Sequence, residues 1–455
     1  MNRQPFTRAR RTRRQFLATT AVVAGSALVA RTVPAEDVTA PQEKLNLGII
    51  GVGGRGAGNL ADVSGENIVA LCDVNHQVLN QTAARFPQAA TYHDWRELIK
   101  DAEIDAVVIS TADHHHALAA IAAMRAGKHV YCEKPLAATV QEARLMQREY
   151  GQRRDKLVTQ MGTQIHATEN YRRVVELVQA GAIGPVREAH VWCGRSISPI
   201  GKVELDPQPE PGDFSWDLWL GPAPARPYNA GYWRGGNLNW NRRWDFGNGV
   251  LGDMGSHLID LPFWALELRH PLSVQSEGPA PDPHACPPWQ VVTWQHPARS
   301  GNPVLNHPVE VVWYHGPEGM RRRSERLQPQ LKTDTDLGQW FIGVAFVGND
   351  GLLVTDYDKH LLSPADQFAQ YERPQPSIPR SVGHHREWLE ACKKGSPTTC
   401  NFDYSGVLIE HNLLGNVAHR SGTRLEWDAE SGQITNHPQA NELLTRSYRE
   451  GWNLL

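Results

Sequence analysis

Residues 45–74 read LNLGIIGVGGRGAGNLADVSGENIVALCDV. Leu45–Ile50 has the length and β-branched content of a buried strand. Gly51, Gly53 and Gly56 follow in the spacing G-x-G-x-x-G, and a second apolar run, Ile68–Cys72, leads straight into Asp73. Each part has a physical task in holding a dinucleotide. Gly51 allows a tight turn out of the strand, Gly53 lets backbone approach a pyrophosphate, and Gly56 lets the next helix pack closely on the strand. The amides and dipole at that helix start, with Gly54 and Arg55 in the turn, then face the phosphates. Asp73 accepts hydrogen bonds from the adenosine ribose hydroxyls and repels a 2′-phosphate, which favours NAD over NADP. A lone glycine motif is weak evidence. Strand, turn, helix, second strand and terminal acid in this order make it strong.

Outward from this stretch, Gln77–Phe86 and Trp95–Lys100 read as helices and Ala106–Ser110 as a buried strand. Thr111-Ala112-Asp113-His114-His115-His116 opens an alanine-rich helix that ends near Gly127. Lys128–Cys132 is the next strand, then Glu133-Lys134-Pro135, a helix through Met146, and a strand at Leu157–Gln160. Strands alternating with helices predict a doubly wound parallel sheet, the Rossmann arrangement, over 45–165. Its ligand crevice lies at the strands' C-terminal ends, where the glycine turn, Thr111, Glu133, Lys134 and Gln160 all fall. Three adjacent histidines at a helix start point in different directions and cannot all ligate one ion. No metal site is expected, and His116 is assigned to cofactor contact.

The chain's 455 residues exceed one ordinary core and predict two domains. A net charge of −3 provides no basic field for nucleic acid. The six cysteines show no metal-ligand spacing, although Cys392 and Cys400 are near enough in sequence for a disulfide. Residues 3–14 are rich in arginine, and Thr12-Arg13-Arg14-Gln15-Phe16-Leu17 resembles a twin-arginine export signal. Ala18–Ala30 is apolar but too short to cross a bilayer as a stable helix. Residues 1–35 are therefore read as an export segment with a cleavage site near Val33-Pro34-Ala35, and the expected location is periplasmic or otherwise exported. That pathway carries folded proteins, and free NAD is scarce outside the cell, so a tightly held cofactor is expected.

In the second half, 186–455, Val186–Trp192 alternates like a half-buried strand, and Ser198–Gly212 reads as a loop over the site. Asp253 and His257 stand four apart within DMGSHLID, on one face of a helix, with Asp260 a turn further on. Read alone, such a pair is more often structural than catalytic. Trp216, Trp219, Trp233, Trp240, Trp244 and Trp264 crowd this region. Aromatic faces stack on sugars, but most of these rings are expected in packing, with Trp240 or Trp233 at the pocket and Tyr228 and Arg243 as further substrate candidates. Val291–Gln295, Val309–Tyr314, Phe341–Val347 and Leu352–Tyr357 predict a mainly antiparallel sheet. Arg321–Leu337 reads as a charged loop, and His384–Lys393 and Gly406–His419 as helices that return to pack on the rest. The fold class is α/β with a C-terminal α+β domain.

Together GVGGRG, CDVN, TADHHHA and YCEKPLA resemble the glucose–fructose oxidoreductase/inositol dehydrogenase/rhizopine-catabolism family, Gfo/Idh/MocA, from about Leu45 to the C-terminus. Two positions depart from the usual pattern: Ala112 replaces a proline, and His115 stands where relatives often carry an aromatic. The resemblance implies that the lysine of EKP, Lys134, is catalytic, and that Asp253 and His257 join it at the nicotinamide. His257 suits a general base, Lys134 would hold the hydroxyl oxygen and depress the pKa of His257, and Asp253 would orient substrate or imidazole. It also implies an open sheet face used for a homodimer or homotetramer. The function expected is an exported NAD(P)-dependent oxidoreductase acting on a sugar or cyclitol hydroxyl. Two rivals stand beside it: an NAD-dependent glycosidase that oxidises, eliminates and reduces with no net redox change, and a non-catalytic sugar-binding scaffold.

Overall fold

The first strand and the glycine turn set the frame of the computed structural model, which describes residues 44–299, 306–331 and 336–453. The export segment read in residues 1–35 lies outside the described residues. Strands β1 (Asn46–Ile50), β2 (Asn67–Cys72), β3 (Ala90–Tyr92), β4 (Ala106–Ile109), β5 (His129–Cys132) and β6 (Thr159–Met161) form one sheet in the order β3-β2-β1-β4-β5-β6. All its pairings are parallel. Residues on both faces of β1 and β4 are buried, as expected for a sheet covered by helices on each side. The strand order reverses between β1 and β4, so the glycine turn and Ser110-Thr111 flank the switch point where ligands bind.

Gly51 has φ +83, a conformation that disfavours a side chain, and a Cβ on Gly56 would stand 1.9 Å from the Gly51 carbonyl oxygen. The helix Arg55–Val63 therefore starts hard against β1.

A second sheet of nine strands follows: β7 (Val186–Cys193), β8 (Ser273–Glu277), β9 (Gln290–His296), β10 (Val309–His315), β11 (Ile342–Gly348), β12 (Leu352–Thr355), β13 (His360–Ser363), β14 (Leu425–Asp428) and β15 (Gln433–Ile434). Its order is β13-β12-β11-β7-β10-β9-β8-β14-β15, antiparallel except between β7 and β10. The expected charged loop at Arg321–Leu337 is in part a helix, Gly316–Leu327. It starts with a proline in its first turn, carries Glu318–Arg322 and Arg321–Glu325 pairs at helical spacing, and buries Arg323 and Leu327. Arg323 donates to the carbonyls of Leu337 and Trp340 and lies over the Trp192 ring, so the charge that read as solvated clasps this helix to the sheet. The face expected to be open is therefore partly covered.

The helices His384–Lys394 and Phe402–Ser421 return as expected. Trp388, Ala391 and Cys392 of the former join the core of the first sheet. All six cysteines are buried and free, so Cys392 and Cys400 are not bridged. No described helix is long and apolar enough to cross a membrane.

Candidate active site

A cleft of about 680 Å³ opens at the switch point. The glycine turn forms one end. No side chain caps the helix Arg55–Val63, and the space a Gly54 Cβ would fill is open, so backbone there can meet a ligand directly. Asp73 lines the same end. Its carboxylate accepts from the amides of Val52 (3.0 Å) and Asn75 (2.9 Å), which uses two of about four lone-pair positions and leaves others for ribose hydroxyls. Burial pushes its pKa up, against those same amides. These features fit the pyrophosphate and ribose of a dinucleotide.

Glu133 sits at the base of the cleft and accepts from Arg55 Nε (3.0 Å), Asn59 Nδ2 (3.0 Å) and Gln164 Nε2 (2.8 Å). Burial alone would raise its pKa, but Arg55, Lys134 and Asn59 outweigh burial and hold it below the ordinary value. Arg55 thus spends its charge on Glu133.

Lys134 and Asp253 meet across the two halves. The ammonium donates to a carboxylate oxygen of Asp253 and to its backbone carbonyl at 3.1 Å, while Arg195 Nη1 holds the other carboxylate oxygen. Burial would raise the Asp253 pKa, yet Lys134 and Arg195 hold it below its usual value. The Lys134–Pro135 peptide is cis. Asp253 and His257 belong to the helix Gly249–Leu258, which places both on the cleft. Thr163 gives its one hydroxyl hydrogen to the Ser256 carbonyl (2.9 Å) and stands 3.4 Å from His257 Nδ1. It can then only accept from His257, which favours the Nδ1–H tautomer and leaves Nε2 unprotonated. Burial first, then the Lys134 charge, lowers the His257 pKa to about 3. The sequence reading gave Lys134 alone that role; desolvation is the larger cause.

Gly51, Gly53, Gly54, Arg55, Asp73, Thr111, Glu133, Lys134, Asp253, His257 and Trp240 line the cleft, and Gly56 stands directly behind the turn. Four other expected residues do not reach it. His116 is buried behind the wall, within hydrogen-bonding distance of the carbonyls of Pro135 (2.7 Å) and Thr111 (3.0 Å). Gln160 donates to the His384 carbonyl (2.6 Å) in the core. Arg243 spends its guanidinium on the carbonyls of Val203 (2.6 Å) and Lys202 (2.8 Å), and Tyr228 packs edge-on against Trp216 in an aromatic cluster. Ser198–Gly212 supplies no lining residue either; Arg243 pins it from beneath.

Among the tryptophans, Trp219, Trp233 and Trp240 line the cleft, Trp233 stacked on Phe214 at 4.3 Å. Trp216 is core, and Trp264 stacks on His166. The three histidines make no metal group. His114 and His115 both meet the Trp219 carbonyl, at 2.9 and 3.0 Å, and so anchor that wall. Sequence reasoning missed Arg195 and Asn237, whose side chains both reach Asp253. Arg195 stands two residues past the end of β7, a position that could have marked it; Asn237 carried no signal.

Two family profiles match the chain: "Oxidoreductase family, NAD-binding Rossmann fold" over residues 45–160, and "Oxidoreductase family, C-terminal alpha/beta domain" over 178–319. The chain belongs to the Gfo/Idh/MocA family. Its first domain is that family's NAD-binding Rossmann domain. Similar curated proteins include inositol 2-dehydrogenase of Salmonella paratyphi B, 32% identical over 152 residues, covering 32% of this chain and 45% of that one. Levoglucosan dehydrogenase of Pseudarthrobacter phenanthrenivorans is 31% identical over 192 residues, 42% of this chain and 40% of that one. The chain thus spans less than half the length of these relatives. Among solved structures, levoglucosan dehydrogenase in complex with NADH and levoglucosan superposes with a TM-score of 0.52 at 17% identity, covering 84% of this chain and 98% of that one. The WlbA dehydrogenase of Bordetella pertussis in complex with NADH and UDP-GlcNAcA gives 0.56 at 15%, covering 85% and 99%. At such identities these likenesses speak to the fold.

Proposed function

We propose that the protein is an NAD-dependent oxidoreductase that moves hydride between the nicotinamide and a secondary hydroxyl of a sugar or cyclitol. The observation that carries this reading is the convergence of Lys134, Asp253 and His257 at the cleft that the glycine turn opens. When bound, the nicotinamide supplies the hydride acceptor. The Lys134 ammonium donates to the substrate oxygen and stabilises its developing negative charge. His257, held neutral, offers Nε2 to the hydroxyl proton. Its proton affinity is low, and charge stabilisation by Lys134 reduces the basicity the step demands. Asp253, fixed between Lys134 and Arg195, holds the ammonium in place. Trp219, Trp233 and Trp240 offer apolar faces to a ring, while the relatives' names point to cyclitols and anhydrosugars.

The twin-arginine segment read in residues 1–35 supports export with the cofactor already held. It also favours a second reading at the same site, transient oxidation that leads to glycosidic elimination and re-reduction with no net redox change. The deciding experiment purifies the protein without added cofactor, denatures it and identifies what is released. Stoichiometric NAD(H) is expected; a protein that neither carries nor binds NAD sinks both readings. Product analysis with that bound NAD then separates an oxidised, ketone-bearing product from a cleaved glycoside.

A further inference from the structure

A second cavity, of about 270 Å³, shares no lining residue with the cleft. Its walls include Thr139, Trp244, Asn248, Asn416, Arg420 and Arg446. Arg420 lies in the last turn of the helix Phe402–Ser421, over the Trp244 ring at 5.3 Å. Among the described residues no carboxylate pairs with it and no oxygen accepts from it. Burial lowers its pKa, and Asp245, a carboxylate in the wall of the same cavity, offsets only part of that effect from beyond hydrogen-bonding distance. Its place in the last turn suits the helix dipole but provides no acceptor for its donors.

Arg446 faces the same cavity. Its Nε donates to Glu142 (2.9 Å) and one Nη to the His114 carbonyl (2.7 Å), while Nη1 is buried with no partner. The nearby carboxylates are committed elsewhere. Asp245 is held by Arg226, and Glu142 by Arg446 and Tyr448. A buried donor left unsatisfied is costly, and Arg446 Nη1 is one, while the half-buried Arg420 beside the same cavity has no acceptor of its own.

We infer that this cavity binds a small oxyanion, a phosphate or carboxylate group, gripped by Arg420 and Arg446. A guanidinium fork matches either group with paired hydrogen bonds. Asn248, in the wall, accepts from Asn416 Nδ2 (2.9 Å) and immediately precedes the helix that carries Asp253 and His257. The occupant therefore touches the start of the site helix without entering the cleft.

The test titrates inorganic phosphate, and separately succinate, into the full-length protein by calorimetry, with NAD saturating so that the pyrophosphate cradle is filled. One site per chain is expected for at least one of the two anions, and the tighter identifies the group. Arg420→Gln should weaken it at least tenfold, with Arg420→Lys between, because the ammonium keeps the charge and loses the fork. The same anion should raise the wild-type melting temperature and leave that of Arg420→Gln unchanged. Absence of binding by both anions overturns the proposal, as does binding that Arg420→Gln leaves intact. The result is independent of the redox reading, since neither arginine lies in the cleft.

Discussion

Two histidine–aspartate arrangements stand side by side in this molecule and have opposite fates. His257 and Asp253 open onto the cleft with Lys134 and Arg195. Three residues on, Asp260 is sealed in the core, where it accepts from His166 Nδ1 (2.9 Å) and Tyr404 OH (2.7 Å), with His166 stacked on Trp264 at 3.9 Å. Cys400 joins His166 and Asp260 in a group whose ligand atoms lie within 4.8 Å of one another. That spacing would admit a metal, yet the Asp260 oxygens already have protein partners and no solvent path is needed to satisfy them. The same side-chain types thus make a reaction centre where charge is left facing a cavity, and a structural clasp where the carboxylate is buried among protein donors.

The largest expected effect tests the first half of this contrast. Lys134→Ala removes the group that stabilises charge on the substrate oxygen, so turnover should fall on the order of a thousandfold. Arg195 still neutralises Asp253, so the cleft should keep its shape and its NAD. Initial rates and the nucleotide content of the purified variant read both. Loss of NAD with the rate would make Lys134 a cofactor residue instead, and a rate within tenfold would remove it from the chemistry.

Asp260→Ala tests the second half. It orphans the buried His166 donor and leaves Tyr404 only the backbone carbonyl of residue 260 (3.2 Å), at a cost of roughly 1–3 kcal/mol. Chemical denaturation should show that loss while the rate per folded molecule stays at the wild-type level. A large rate defect in a stably folded variant would mean that the sealed pair works for the cleft, and the contrast would fail.

The contrast was only half visible in the sequence. The order of strand, glycine turn, strand and acid fixes local geometry, because each step depends on backbone length and conformational freedom close in sequence. For the same reason Gly51, Asp73 and Lys134 fall on the cleft as read. Asp260 could be placed a turn from His257, but its partner His166 lies 94 residues away and no spacing announces it. Arg243 was read as a substrate candidate and Arg195 was passed over; which guanidinium is consumed by loop carbonyls and which holds Asp253 depends on tertiary packing. The helix Gly316–Leu327 was hidden by its own charge, since i, i+4 ion pairs and a buried arginine resemble a solvated loop when only composition is read.

The smallest effect per group concerns pH, and it separates cleft from core in another way. Burial lowers His257, His296 and His384 to about 3, and His115, His315 and His419 to about 4. A base whose folded pKa lies below its unfolded value near 6.5 binds protons more readily in the unfolded chain. Its contribution to stability is complete above that value and is lost as pH falls from 6.5 towards 3 or 4. The melting temperature should therefore decline steadily below about pH 6.5. His257 is faced by Lys134, Asp253, Glu133 and Arg55, and it stays neutral in that window down to about pH 4. Activity per folded molecule should consequently remain flat while stability falls. An acid limb in the normalised rate with a midpoint near 6.5, at constant melting temperature, would mean that substrate or cofactor restores an ordinary imidazole, and the core histidines would no longer report on the one in the cleft.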